Sequence, residues 1–166
     1  MPEPNRIVFR RNLIPGDREA VGRLVRATGF FSEEEAAIAE ELVDEGMAKG
    51  KASGYLFLFA EEGGRLLGYT CFGPIPGSVH SFDLYWIAAA PGAQGRGLGK
   101  RLMAETEQIM AKLGARRAYA DTSSRPQYEP TRAFYRSCGY VQEALLVDFY
   151  GSGDGKAIFV KILPAG

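Results

Sequence analysis

The sequence predicts an α/β fold, a mixed and mostly antiparallel central sheet flanked by helices in the order βααβββαβαββ. Three observations predict it. Apolar residues recur at helical spacing in four segments and run or alternate in the segments between them. Two pairs of apolar runs are split by Glu62-Gly63-Gly64 and by Gly151-Ser152-Gly153-Asp154-Gly155, both hairpin signals. Between an apolar strand and an amphipathic helix stand three glycines in five residues, Gly95, Gly97 and Gly99.

Taken in order, Ile7–Arg11 reads as a short strand. Pro15-Gly16-Asp17 opens a helix with Ala20, Val21, Leu24 and Val25 on one face. Ser32 is a natural N-cap for a second helix, Glu33 to about Lys49, and Glu35 stands at the capping-box position. Tyr55–Glu61 and Arg65–Phe72 form the first hairpin, and Gly73–Gly77 is a loop. Val79–Ala90 reads as a long central strand, because both its faces are mostly apolar: Phe82, Leu84 and Trp86 on one, Asp83, Tyr85 and Ile87 on the other. Leu98 to about Leu113 is a helix with Leu98, Leu102, Ile109 and Leu113 expected on its core face and Gly114 as its stop. Arg116–Asp121 is a strand, Tyr128–Cys138 a short helix, and Tyr140–Tyr150 with Lys156–Leu163 the last hairpin. No linker or internal repeat interrupts the chain, so residues 1–166 are expected to form one domain.

A chain of 166 residues buries about 70% of its unfolded surface, enough for a core without disulfides or metals. Two cysteines, Cys71 and Cys138, are too few and too far apart for a zinc site or a disulfide scaffold, and they read as small buried hydrophobes. The apolar runs fall short of the ~18 residues of a membrane span, and the start of the chain does not resemble a signal peptide. The expectation is a cytoplasmic protein without a membrane association. Twenty basic and twenty acidic residues cancel, which argues against a dedicated nucleic-acid binder. The zero hides an asymmetry: residues 1–90 carry nine basic and thirteen acidic residues, residues 91–166 eleven and seven. Arg96, Lys100 and Arg101 lie in an acid-free window, either one face of a solvated surface or a local site for an anion.

The window coincides with Gln94-Gly95-Arg96-Gly97-Leu98-Gly99-Lys100-Arg101. Glycines let a backbone approach a ligand, and the following helix offers N–H groups and positive potential. Together these describe a pyrophosphate cradle. The spacing fits neither the dinucleotide fingerprint nor a P-loop.

At this point the chain resembles the GCN5-related N-acetyltransferase (GNAT) superfamily. Gln94, Gly97 and Gly99 fit that family's Gln/Arg-x-x-Gly-x-Gly/Ala signature, Ile87-Ala88-Ala89-Ala90-Pro91 fits the strand end before it, and Tyr135-Arg136-Ser137-Cys138-Gly139-Tyr140 fits the tyrosine and glycine–aromatic end of a later helix. The resemblance implies acetyl-CoA as co-substrate, no metal, and direct transfer to an amine. It assigns the pyrophosphate to Gln94, Gly95, Arg96, Gly97, Leu98, Gly99 and Lys100, and the pantetheine arm to the backbone of Ile87, Ala88 and Ala89. It also implies that the strand carrying Asp121 and Thr122 splays away to open a slot for the thioester.

The same resemblance gives Tyr135 the part of general acid for the departing thiolate, although helical spacing with Thr131, Phe134 and Cys138 equally suits a core residue. It places a carboxylate base eleven residues before Gln94, at Asp83, where flanking Phe82 and Leu84 would raise its proton affinity. The lone histidine, His80, is the fallback base. Tyr128 stands where many relatives have a cofactor-contacting asparagine, and either replaces that contact or lines the acceptor site. The expected function is acetyl transfer to a primary amine of a small molecule. The alternatives are a protein N-terminus or lysine as acceptor, and a non-catalytic acyl-CoA-binding domain, which the presence of Asp83 and Tyr135 disfavours. The acidic second helix (Glu33–Glu35, Glu40, Glu41, Asp44, Glu45) is either a solvated face or a site for a cationic acceptor. Phe30, Phe31, Tyr85, Tyr128 and Tyr150 would suit an aromatic amine. The sequence leaves a homodimer open.

Overall fold

The computed structural model describes residues 6–93 and 95–166. Its elements are β1 (Val8–Arg10), α1 (Asp17–Ala27), α2 (Glu33–Lys49), β2 (Leu56–Glu62), β3 (Arg65–Pro74), β4 (Ser81–Ala89), α3 (Leu98–Lys112), β5 (Arg117–Ser123), α4 (Glu129–Ser137), β6 (Val141–Gly151) and β7 (Asp154–Ile162), with three short 3₁₀ turns. This is the order read from the sequence. The strands follow one another as β1-β2-β3-β4-β5-β7-β6; β4 with β5 is parallel, and β1–β2, β2–β3, β5–β7 and β6–β7 are antiparallel. No helix among the described residues is long and apolar enough to cross a membrane.

The chain forms two compact units. Met1–Gly73 and Trp86–Thr106 make the first, Pro74–Tyr85 and Glu107–Gly166 the second.

In the first unit, α2 starts at a complete capping box: the Glu35 amide donates to the Ser32 hydroxyl (3.1 Å) and the Ser32 amide to the Glu35 carboxylate (3.0 Å). The acids of α2 are largely committed within the protein. Glu40, only 7% exposed, accepts from Arg18 (3.0 Å) and Arg26 (2.6 Å), while Glu33 holds Arg26, Asp44 holds Arg18 and Glu45 holds Lys49. A buried carboxylate needs such partners, since an unpaired one costs several kcal/mol. A Cβ on Gly68 of β3 would stand 2.9 Å from the Ala88 carbonyl and 2.8 Å from Leu102 Cδ1. Only glycine lets α3 seat this close.

The core face of α3 differs from the expectation. Leu98, Leu102, Thr106 and Met110 are buried, whereas Leu113 is 52% exposed and Ile109 only partly covered. Steps of four residues define the true stripe. A polar residue interrupts it, and that residue is satisfied: the Thr106 and Thr70 hydroxyls lie 2.7 Å apart in the core.

In the second unit, β5 pairs with β7 from Arg117↔Ile162 to Ser123↔Lys156, while its parallel register with β4 spans Ser81↔Arg117 to Leu84↔Ala120. Lys161 crosses to Glu107 (2.7 Å) and to the Cys138 carbonyl (2.8 Å). The last hairpin is tighter at its tip than expected, with strand to Gly151 and again from Asp154. Its first strand is not regular. The register jumps between Leu146 and Gly151, Asp148 takes φ 57°, and its carboxylate accepts from the Gly153 amide (2.9 Å). The local bond repays part of the cost of a left-handed aspartate. Strand β4 starts at Ser81, two residues later than expected; Val79 is 83% exposed.

Candidate active site

The glycine turn is held from both ends. Before it, the Ala90 amide donates to the Leu67 carbonyl (2.7 Å) and the Ala93 amide to Ala90 (2.9 Å), and Ala93 is buried. After it, Leu98 is buried and the Arg101 amide closes the first turn of α3 on the Gly97 carbonyl (3.1 Å). The amides of Leu98, Gly99 and Lys100 therefore precede the first intrahelical bond and carry the positive end of the helix. Gly95 (φ 87°) and Gly97 (φ 73°) are exposed, take backbone conformations that side chains resist, and leave open space where a Cβ would stand. That is the surface a phosphate-bearing arm requires. Gln94 lies outside the described residues.

Charge at the turn is not distributed as the sequence suggested. The Arg96 guanidinium is 2.9 Å from Glu62 Oε2 at the end of β2. Arg101 lies over the Phe9 ring, 5.4 Å from its centroid. Lys100 is exposed on the first turn of α3. On β4, Ala88 is buried and its flanking Ile87 and Ala89 are half-buried.

In the second unit the register sorts the chemical groups by sheet face. Asp83 is opposite Tyr119, and alternation puts Asp121, Ser123 and, on β7, Lys156 and Ile158 on the same face. Asp83 is half-buried, and its carboxylate makes no hydrogen bond or ion pair among the described residues. Burial raises its pKa from 3.8 to about 6, the nearby Asp121 charge adds to the rise, and Lys156 opposes it.

Tyr135 belongs to the other face. It is 6% exposed on α4, its ring 5.6 Å from Phe159, whose register partner is Ala120. Phe134 and Tyr140 pack at 6.0 Å. Burial first, then the charge of Asp121, pushes its hydroxyl upward, so it stays a neutral phenol. Asp83 and Tyr135 thus share a strand layer but face opposite ways.

Tyr128 precedes α4 and acts on Tyr150 electrostatically, as do Asp121 and Asp154. His80 is exposed at the start of β4, with Nδ1 3.1 Å from the Gly114 carbonyl. Cys71 is buried and its thiol is pushed upward by burial, while Cys138 is only partly covered, less than expected.

Sequence reasoning gave no role to Arg132 or Lys156 and named Asp121 only for the strand that carries it. Arg132 is buried and donates to the Arg125 carbonyl (3.0 Å) and to that of Ser123, tying α4 to the end of β5. Asp121 and Lys156 form a 3.3 Å ion pair. An arginine on an otherwise apolar helix face was the available signal for the first; the pairing of the other two depends on strand register.

The model of the acetyltransferase (GNAT) family matches residues 21–140. A GNAT-family acetyltransferase structure from Desulfovibrio desulfuricans is 45% identical, with a TM-score of 0.94 over 96% of this chain and 100% of that one. The PaiA N-acetyltransferase of Thermoplasma acidophilum, solved in complex with coenzyme A, is 24% identical with a TM-score of 0.73 over 95% and 99%. The aminoglycoside 6'-N-acetyltransferase of Enterococcus faecium is 18% identical with a TM-score of 0.76 over 96% and 99%. The two more distant structures share the fold. The chain belongs to the acetyltransferase (GNAT) family and is an acetyl-CoA-dependent N-acetyltransferase.

Proposed function

We propose that the protein acetylates a primary amine of a small molecule by direct attack on the thioester, with Asp83 as base and Tyr135 as acid. The observation that carries the reading is Asp83, an unpaired, half-buried carboxylate whose proton affinity lies close to neutrality. A group with a pKa of about 6 is ionised at pH 7 yet still basic enough to accept a proton.

Acetyl-CoA supplies the activated acyl group. The open turn at Gly95 and Gly97 and the first amides of α3 (Leu98, Gly99, Lys100) would hold its pyrophosphate, with Gln94 and Arg96 alongside. The backbone of Ile87, Ala88 and Ala89 would pair with the pantetheine arm. Asp83 takes a proton from the acceptor ammonium, directly or through a water, and the freed lone pair forms the C–N bond as the C–S bond breaks. Tyr135 gives its phenolic proton to the departing sulfur, and the second proton that the nitrogen loses as the amide forms passes through water to restore the phenol. Tyr128, beside Tyr150, lines the acceptor side or touches the cofactor in place of an asparagine.

A small-molecule acceptor is favoured over a cationic protein tail by α2, whose acids are mostly spent on Arg18, Arg26 and Lys49. The test is an amine screen for CoA release read with a thiol reagent, run beside N-terminal and lysine peptides. Turnover of peptides alone moves the acceptor to protein, and acetyl-CoA binding without turnover of any amine supports the non-catalytic reading. A cytoplasmic enzyme is a setting that fits this co-substrate.

A further inference from the structure

Asp121 is a charged neighbour of the candidate base and forms an ion pair with Lys156. It follows the last residue of β5 that is in register with β4, and it remains paired with Ile158 of β7. Parity puts it on the face of Asp83, as that residue's diagonal neighbour one step beyond the paired segment. Lys156, two residues from Ile158 on the same face of β7, reaches Asp121 Oδ2 at 3.3 Å. On the opposite face, Tyr135 also feels the Asp121 charge, and so does Tyr150 of β6.

We propose that Asp121, with Lys156 as its counter-ion, is a positioning residue for proton transfer at Asp83. It need not touch the substrate. Its negative charge at the end of the paired β4–β5 segment opposes a second negative charge on Asp83. Burial is the larger cause of that carboxylate's proton affinity; Asp121 adds to it and Lys156 opposes it. Lys156 sets how much of that charge is felt. The same alternation places Arg117 and Tyr119 of β5, Asp154 and Lys156 of β7 and Tyr85 of β4 on this face, and Tyr135 of α4 and Tyr150 of β6 feel the Asp121 charge. The charges that act on Asp83 are those of Asp121 and Lys156.

The proposal rests on the reading of Asp83 as base, and the experiment separates the two. Carboxyl ¹³C titration of Asp83 and the pH–rate profile are measured in parallel on wild type, Asp121→Asn, Lys156→Gln and Asp121→Glu. Asp121→Asn should move the Asp83 midpoint down by about half a pH unit, the size of a unit charge ~7 Å away in a largely aqueous setting. Lys156→Gln should move it up, and Asp121→Glu should restore the wild-type value. A residue that only braces β5 would lower the melting temperature without opposite-signed titration shifts. Unmoved midpoints, or shifts of the same sign in the Asn and Gln variants, overturn the proposal. Midpoints that move as expected uphold it; if the acid limb of the rate profile does not follow them, the base reading of Asp83 falls instead.

Discussion

The Arg96 guanidinium lies 2.9 Å from the Glu62 carboxylate, so the arginine of the glycine turn already has an internal partner. The pair is partly exposed and worth no more than about 1 kcal/mol. A pyrophosphate arriving at the turn has to compete for that guanidinium. Glu62→Gln should therefore lower the KM for acetyl-CoA about two- to threefold at low salt and leave kcat unchanged, with the advantage fading as salt screens it. A KM that does not fall would mean that Arg96 serves β2 rather than the co-substrate.

Gly97 tests the cradle itself. Its φ of 73° penalises any side chain by roughly 1–2 kcal/mol, but the space beyond it is open. Gly97→Ala should fold with a lowered melting temperature and still bind acetyl-CoA. Gly97→Glu carries the same backbone penalty and adds negative charge where phosphate oxygens approach, so calorimetric binding should vanish. Equal binding by both variants would place the pyrophosphate elsewhere.

Local features were legible in the sequence and long-range ones were not. The capping box at Ser32 and the turn at Gly95 and Gly97 are encoded within a few residues, and both stand where their spacing puts them. The α3 face was misread because Thr106 looks like a surface residue until Thr70 is brought to it from β3. The irregularity of β6 depends on Asp148 accepting a left-handed backbone, which its sequence neighbours do not announce. Glu40 reads as one acid among many, and only the packing of α1 on α2 gives it two arginines. The meeting of Asp121 with Lys156 follows from β5–β7 register, which no single segment contains.

Tyr135 is buried among aromatic rings, and its hydroxyl makes no hydrogen bond among the described residues. Removing that hydroxyl should cost the fold little or nothing. Tyr135→Phe should keep its melting temperature while kcat falls roughly 10²-fold and the KM for acetyl-CoA is little changed. Turnover within about threefold of wild type would leave Tyr135 a packing residue alone.

Asp83 ties activity to stability with opposite signs. Its pKa rises from 3.8 to about 6 on folding, so the native protein binds this proton more tightly than the unfolded chain. Between about pH 4 and pH 6 the folded state retains a proton that the unfolded state has released, and stability falls as pH rises through that window. Above it the full cost of a desolvated charge persists. Asp83→Asn removes that charge at nearly constant shape. The variant should be more stable than wild type at pH 7.5, on the order of 1 kcal/mol once the half-exposure of the group is allowed for, with the difference closing below about pH 4. Its activity should fall by on the order of 10- to 10³-fold, and the acid limb near pH 6 should disappear, leaving a rate that climbs with hydroxide. Thermal unfolding against pH and the pH–rate curve on this one variant decide the matter. A carboxylate kept for the fold would give a less stable Asn variant with an intact limb, and the base would then be sought at His80.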